Sequence, residues 1–418
     1  MNKKIFFRLD WLSILLYLLL VSFGLVNIYS SGFSNTTILF WDPDYLVGKQ
    51  FWIFIACLII LPLILAVKSN FFEHLTYIFY GISIFSLLGL FIFGETISGA
   101  TSWYSLGSFS LQPSEFAKIT TAMVVALNLS SFQNDLKKNT HLLKIILLVS
   151  LPMLLIILQP DAGSALVFMG IFFVLIREGL NLKFLFLAMG LILIFILTLL
   201  FSPLNLSLVM GFIFFIIYNL IKRRYPKTKK NPFISTLIFG IVFSYSVSLI
   251  FNTVFEQRHR DRFNIILGLE TDSRGIGYNI NQSKIAIGSG GFSGKGFLNG
   301  SQTKGNFVPE QETDYIFSIV GEEWGFLGSV TLILLFVILI FRIIYKAERH
   351  SSAYARVFSY TFASMLFVHF FINIGMTLGL VPTVGIPLPF ISYGGSNLLA
   401  FSLMLFIYLN FDANRLDY

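Results

Sequence analysis

Cysteine is nearly missing from this chain. Cys57 is the only one, and it sits inside an apolar run. That excludes an intrachain disulfide and a cysteine-built metal site, and it leaves the redox compartment undetermined. Charge is also scarce, at 12% of residues against 56% hydrophobic, with a mean hydropathy of +0.80. An ordinary soluble domain is thereby excluded. The five histidines (His74, His141, His259, His350, His369) are scattered, so no protein metal cage is visible. Gly294-Lys295 lacks the flanking residues of a phosphate loop, because residue 289 is serine and residue 296 glycine. The basic start (Lys3, Lys4, Arg8) precedes a long apolar run without a small-residue cleavage site, which reads as an uncleaved first span.

What fills the chain is hydrocarbon. Runs of about 20 apolar residues recur, each long enough to cross a ~30 Å lipid core as a helix. Backbone groups in lipid must bond internally, so the expectation is an all-α polytopic membrane protein, a bundle of about twelve transmembrane helices. The spans fall at 11–30, 48–67, 74–94, 113–130, 142–158, 161–176, 183–201, 203–221, 232–252, 313–341, 357–378 and 395–411. The net charge of +8 could suggest nucleic acid, but most Lys and Arg collect in alternate short connections, including the cluster Lys222 to Lys230. This is the positive-inside pattern, with both termini cytoplasmic; the cluster suits anionic lipid headgroups rather than nucleic acid. A single membrane domain spanning 1–418 is expected, with segment 253–312 as a large extracytoplasmic loop.

Polar chemistry gathers in and around that loop. It holds Asp272-Ser-Arg-Gly-Ile-Gly-Tyr278, Gln282-Ser-Lys-Ile-Ala-Ile-Gly-Ser-Gly-Gly291 and Gly294-Lys-Gly296. Pro309-Glu-Gln-Glu-Thr-Asp314 and Gly321-Glu-Glu-Trp-Gly325 follow. Three further segments reach the same membrane face: Gln112-Pro-Ser-Glu-Phe-Ala-Lys118, Gln159-Pro-Asp-Ala-Gly163, and the proline- and glycine-rich stretch Leu380 to Ser396. Glu115 and Lys118 are i, i+3 neighbours on one helical face and can pair. For acid–base work the loop offers Asp272, Glu270, Glu310 and Asp314, and spacing alone does not choose among them.

These motifs, in this order, resemble the SEDS family of membrane proteins, whose members act in shape, elongation, division and sporulation. The resemblance covers the first seven spans and everything after about residue 253. The Gln282 to Gly291 wording looks closer to the RodA branch than to the FtsW branch. The family usually has ten spans, so segment 203–252 reads as an extra transmembrane hairpin. Two departures stand out. Ser273 replaces a usual proline, and Ser102 stands where the family usually carries a basic residue.

The resemblance implies a peptidoglycan glycosyltransferase of the bacterial cytoplasmic membrane, polymerising lipid II during cell-wall elongation with its active site on the extracytoplasmic face. It implies Asp272 as catalytic carboxylate, and a class B penicillin-binding protein plus other elongation-complex membrane proteins as partners. A sugar hydroxyl is a poor nucleophile, so a carboxylate accepting its proton suits such a reaction, and the leaving diphosphate calls for cations. Lys118 leads for the diphosphate, with Lys284, Lys295 and Arg274 nearby in sequence. Gln112, Glu115, Asp161, Gln282, Asp314 and Ser392 complete the expected substrate site. The sequence establishes no cofactor, and a divalent ion, magnesium or manganese, between Asp272 and the diphosphate stays open. Two other readings are a flippase for the lipid-linked precursor and a non-catalytic scaffold.

Overall fold

The computed structural model describes residues 8–32, 39–97, 99–107, 109–131, 138–225, 231–253, 255, 257–269 and 275–415. Asp272, Glu270 and Arg274 lie outside the described residues. The chain divides into two compact units, residues 1–179 with 279–418 and residues 180–278. The expected extra hairpin falls inside the second unit, which is larger than the hairpin itself.

The first unit is built on α1 (Trp11–Gly32), α2 (Leu46–Ala66), the short α3 (Ser69–His74) and α4 (Thr76–Phe93). Next come α5 (Pro113–Ser130), α6 (Asn139–Ile157), α7 (Ala162–Val167) and α8 (Ile171–Arg177). The second unit holds α9 (Lys183–Leu200), α10 (Pro203–Arg224), α11 (Asn231–Thr253) and α12 (Gln257–Ile266). Helix α13 (Ile276–Ser289) leads back into the first unit, followed by α14 (Ser301–Lys304), α15 (Ile316–Ala347), α16 (Ala353–Thr377) and α17 (Gly395–Ala413). Among the described residues ten helices are long and apolar enough to cross a membrane. The two remaining expected spans also form helix. Pro113–Ser130 carries an internal ion pair and several buried polar side chains, and 162–177 is short and interrupted by a 3₁₀ turn. The protein is thus a polytopic helical membrane protein.

The helices of the first unit differ in what they face. Of α17, 89% is buried, because it runs through the centre of its unit against α2 and α5. In the second unit, α9 and α10 are only 6% buried and offer apolar side chains outward, as lipid requires of the periphery. Thr198 Oγ1 donates to Ser244 Oγ (2.9 Å), tying α9 to α11 within that unit.

Two features escaped the sequence pattern. After α4 comes a three-stranded antiparallel sheet, β1 (Glu95–Ile97), β2 (Ala100–Leu106) and β3 (Phe109–Leu111), in place of a plain connection. Ser102 is buried in its central strand. Helix α15 breaks at Gly325, whose backbone (φ 64°, ψ −157°) only glycine adopts without strain. The break is closed by the glycine-rich segment 291–296. Lys295 and Gly296 N–H groups donate to the Glu322 and Glu323 carbonyls (3.0 Å each). Phe326 and Leu327 N–H groups donate to the Gly291 and Phe292 carbonyls (2.9 and 3.1 Å). A Cβ on Gly294 would stand 2.1 Å from the Glu323 carbonyl oxygen, so a side chain has no room there.

Candidate active site

Three helix starts and two loops meet at one end of the first unit. Pro113 opens α5, where its missing N–H costs least. Gln112, just before it, receives support from both sides. Its N–H donates to Ser396 Oγ (3.0 Å) at the start of α17, and its side-chain amide donates to Asp161 Oδ2 (3.0 Å). The other oxygen of Asp161 caps α7 by accepting from the Ser164 N–H (3.0 Å). Gly163 lets α7 approach the stretch 379–394 closely, since a Cβ there would stand 2.4 Å from the Val384 carbonyl oxygen.

One turn into α5, Glu115 and Lys118 are each 1% exposed. Lys118 Nζ donates to Glu115 Oε1 at 2.6 Å, and the second oxygen, Oε2, accepts from Asn397 Nδ2 at 3.1 Å. Nζ also lies 3.0 Å from His369 Nε2 and 5.8 Å above the Phe401 ring centre. The opposite ring nitrogen, His369 Nδ1, lies 3.0 Å from the Pro387 carbonyl oxygen. Lys118, the leading candidate for the diphosphate, is thus buried beside Glu115, as its helix position implies. In this conformation the bundle interior encloses the ammonium, which a carboxylate and an imidazole hold.

The stretch 379–394 is irregular, as its three prolines dictate, yet its backbone is fixed. Asn373 Nδ2 donates to the Asp314 and Ile386 carbonyls (2.9 and 2.8 Å). Tyr393 N–H donates to the Glu312 carbonyl (2.8 Å), and Gln50 of α2 donates to the Ser392 carbonyl (3.2 Å). Ser392 Oγ accepts from the Leu388 N–H (2.9 Å), so this hydroxyl shapes the loop. Asp314 is half-buried; its side chain faces Gly385, with Oδ2 3.4 Å from a Cβ built there. Burial raises the Tyr393 phenol above its ordinary range.

The cations of the 282–304 segment fare differently. Lys284 is exposed on α13 and lies over Gly379, so it stands beside the same loop. Gln282 is half-buried on the same helix. Lys295 donates to Glu322 Oε1 (2.6 Å) and Ser301 Oγ (2.8 Å). Glu322 is fully buried and accepts in addition from the Gln302 and Thr303 N–H groups (2.9 and 2.8 Å) and from Thr303 Oγ1 (2.8 Å). It thus caps α14. Among the described residues no three His, Cys, Asp or Glu side chains gather to hold a metal ion.

The structure brings together Gln112, Glu115, Lys118, Asp161, Asp314 and Ser392, and adds His369, Asn373, Asn397 and Gln50. Lys295 belongs to the Glu322 cap instead. A polytopic helical bundle with a polar core at one end, roofed by a rigid proline- and glycine-rich loop, is the class these features define. The family model described as "Cell cycle protein" (FtsW/RodA/SpoVE) matches residues 10–213 and 207–416. The chain belongs to this family. It is 33% identical to the peptidoglycan glycosyltransferase RodA of Treponema pallidum, over 97% of this chain and 98% of that protein. With the peptidoglycan glycosyltransferase MrdB of Escherichia coli K12 it shares 34% identity, over 82% of this chain and 79% of that one. A solved structure described as "Structural coordination of polymerization and crosslinking by a peptidoglycan synthase complex" superposes with a TM-score of 0.70. That match has 25% identity and covers 97% of this chain and 98% of the other.

Proposed function

We propose that this chain is a peptidoglycan glycosyltransferase that polymerises lipid II into glycan strands during cell-wall elongation and the maintenance of cell shape. The observation that carries the reading is its end-to-end kinship with RodA and MrdB glycosyltransferases. In support, the motif residues cluster at one end of the bundle, where a lipid-borne substrate can meet a polar site.

In this reading the polar end faces the extracytoplasmic side of the cytoplasmic membrane and both termini face the cytoplasm. Asp272 accepts the proton of the acceptor sugar hydroxyl as that oxygen bonds to the donor's anomeric carbon. The anomeric carbon–oxygen bond to the lipid diphosphate breaks, and the diphosphate leaves with the electron pair. Lys284, exposed beside the loop, is the cation assigned to the diphosphate among the described residues. Lys118 and Glu115 act from behind, as a buried charge pair supporting the loop. A divalent ion, magnesium or manganese, would add positive charge at the leaving diphosphate, with Asp272 as the carboxylate that would help hold it. The partner is a class B penicillin-binding protein that crosslinks the strands, within a larger set of elongation-complex membrane proteins.

The test is polymerisation of lipid II by the purified chain with its transpeptidase, read as glycan bands on a gel. Asp272→Asn keeps size but loses the proton-accepting charge. General-base contributions run to about 10²–10⁴-fold, so polymer should fall below detection, whereas Glu270→Gln should stay active. Full polymerisation by Asp272→Asn rejects the assignment. Impaired lipid II translocation, with polymerisation supplied by another enzyme, would point to a flippase instead.

A further inference from the structure

The most enclosed feature of the site is one that the motifs do not announce. His369 lies mid-way along α16 with no exposure, its ring edge-on to Phe401 at 4.8 Å between centroids. Both ring nitrogens are engaged, and the partners settle its chemistry. A carbonyl oxygen can only accept, so Nδ1 carries the proton and donates to Pro387 (3.0 Å). An ammonium can only donate, so Nε2 accepts from Lys118 (3.0 Å). The ring is neutral, in a single tautomer, and joins two parts of the site far apart in sequence. One is the Glu115–Lys118 pair with Asn397 behind it. The other is the Gly385 to Ser396 loop, whose backbone Asn373, one helical turn from His369, also holds through the Ile386 carbonyl (2.8 Å).

We propose that His369 is a positioning residue for glycosyl transfer: it transmits the placement of the buried Glu115–Lys118 pair to the loop through the Pro387 carbonyl. This rests on the polymerase reading above. A phenylalanine or methionine fills the same space but offers no acceptor to Lys118 and no donor to Pro387. Glutamine offers both from one planar group. The imidazole does not touch substrate, so its loss should fall on the rate of the chemical step rather than on capture of lipid II.

The experiment compares the wild type, His369→Phe and His369→Gln as purified full chains with the transpeptidase partner. Initial polymerisation rate is followed against lipid II concentration, and thermal melts are run alongside. The expected result is a fall in kcat of about 10²-fold for His369→Phe, the scale of an ångström-level misplacement at a catalytic site. KM should stay within about threefold, since binding to the ground state is untouched. The melt should stay cooperative, and His369→Gln should recover most of the rate. If His369→Phe does not insert, His369→Met takes its place under the same criteria. Wild-type kcat in the apolar variant overturns the proposal. So does a glutamine variant as slow as phenylalanine, because ring shape and not hydrogen bonding would then be what matters. A wild-type chain that makes no polymer under conditions where a known polymerase does would instead overturn the polymerase reading, so the two failures are separable.

Discussion

Among the charged residues, Glu322 and Lys295 show how much a side chain's surroundings decide its part. Both sit in motifs that could serve substrate, and they face each other at 2.6 Å, Lys295 27% exposed and Glu322 not at all. Glu322 accepts from two N–H groups, two hydroxyls and the ammonium, which is the environment of a structural carboxylate. Glu322→Gln sets an amide against those donors and should destabilise the protein by about 3–5 kcal/mol, the range for breaking a buried pair. Thermal melting in detergent would read this as a lower midpoint. Lys295→Met should cost less, since its ammonium reaches solvent. If Lys295→Met abolished polymerisation while leaving the melt in place, Lys295 would belong to the substrate site after all. The Glu115–Lys118 pair was legible because i, i+3 spacing on a helix is a local rule. His369, Asn373 and Asn397 were not. Their partners lie at least thirteen residues away, at Ile386 (Asn373), Pro387 (His369) and Glu115 (Asn397). The one available signal was the i, i+4 spacing of His369 and Asn373, two polar side chains on one face of an apolar helix.

At the level of elements, the end of the bundle opposite the candidate site is held by a second charged network. Arg342 near the end of α15 donates to both oxygens of Asp10 (2.8–3.1 Å), while Lys346 and Arg415 pair with Asp412 of α17 (2.9 and 3.2 Å). Burial pushes Asp10 upward, but the bonds from Arg342 and Ser13 and the charge of Lys346 outweigh it and leave the carboxyl below its ordinary range. His350, between α15 and α16, sits beside this network, buried, with neither ring nitrogen hydrogen-bonded. Burial lowers it to about 4; Asp412 opposes that shift, and Arg415 and Lys346 add to it. The unfolded chain therefore takes up this proton first as pH falls. Stability from the neutral ring is complete above about 6.5 and is lost progressively down to about 4. His350→Phe should flatten the melting midpoint across that window. The Asp10 contribution fails only below the ordinary aspartate range, near 3.8, and so stays distinguishable. The sequence displayed these basic residues as an orientation signal; the local pair Arg415–Asp412 was within reach of i, i+3 spacing, whereas the partners of Arg342 and Lys346, Asp10 and Asp412, lie far along the chain and became visible only in the fold.

The whole molecule was the easiest scale to read, because lipid leaves the backbone few choices. Eleven of the twelve expected spans correspond to one helix each, with ends shifted by a few residues, while 161–176 is α7 and α8 joined by a 3₁₀ turn. The sheet at 95–111 was missed because its strands are short and alternate only weakly. Segment 253–312 was expected as a loop, yet it holds α12, α13 and α14, helices too short or too polar to register against the apolar runs around them. What the fold leaves to experiment is direction across the membrane. The twelve spans expected from the sequence, together with the basic connections, predict that Lys227 and Asn299 face opposite sides. Cys57, the sole cysteine, is fully buried, so the chain carries almost no background for thiol labelling. Lys227→Cys and Asn299→Cys, probed in intact cells with an impermeant maleimide, should label only at 299; after permeabilisation both should label. Labelling of both sites in intact cells would remove the span expected between them, and with it the twelve-span reading. Labelling at 227 alone would invert the whole bundle and put the polar end in the cytoplasm, where no glycan strand is exported from it.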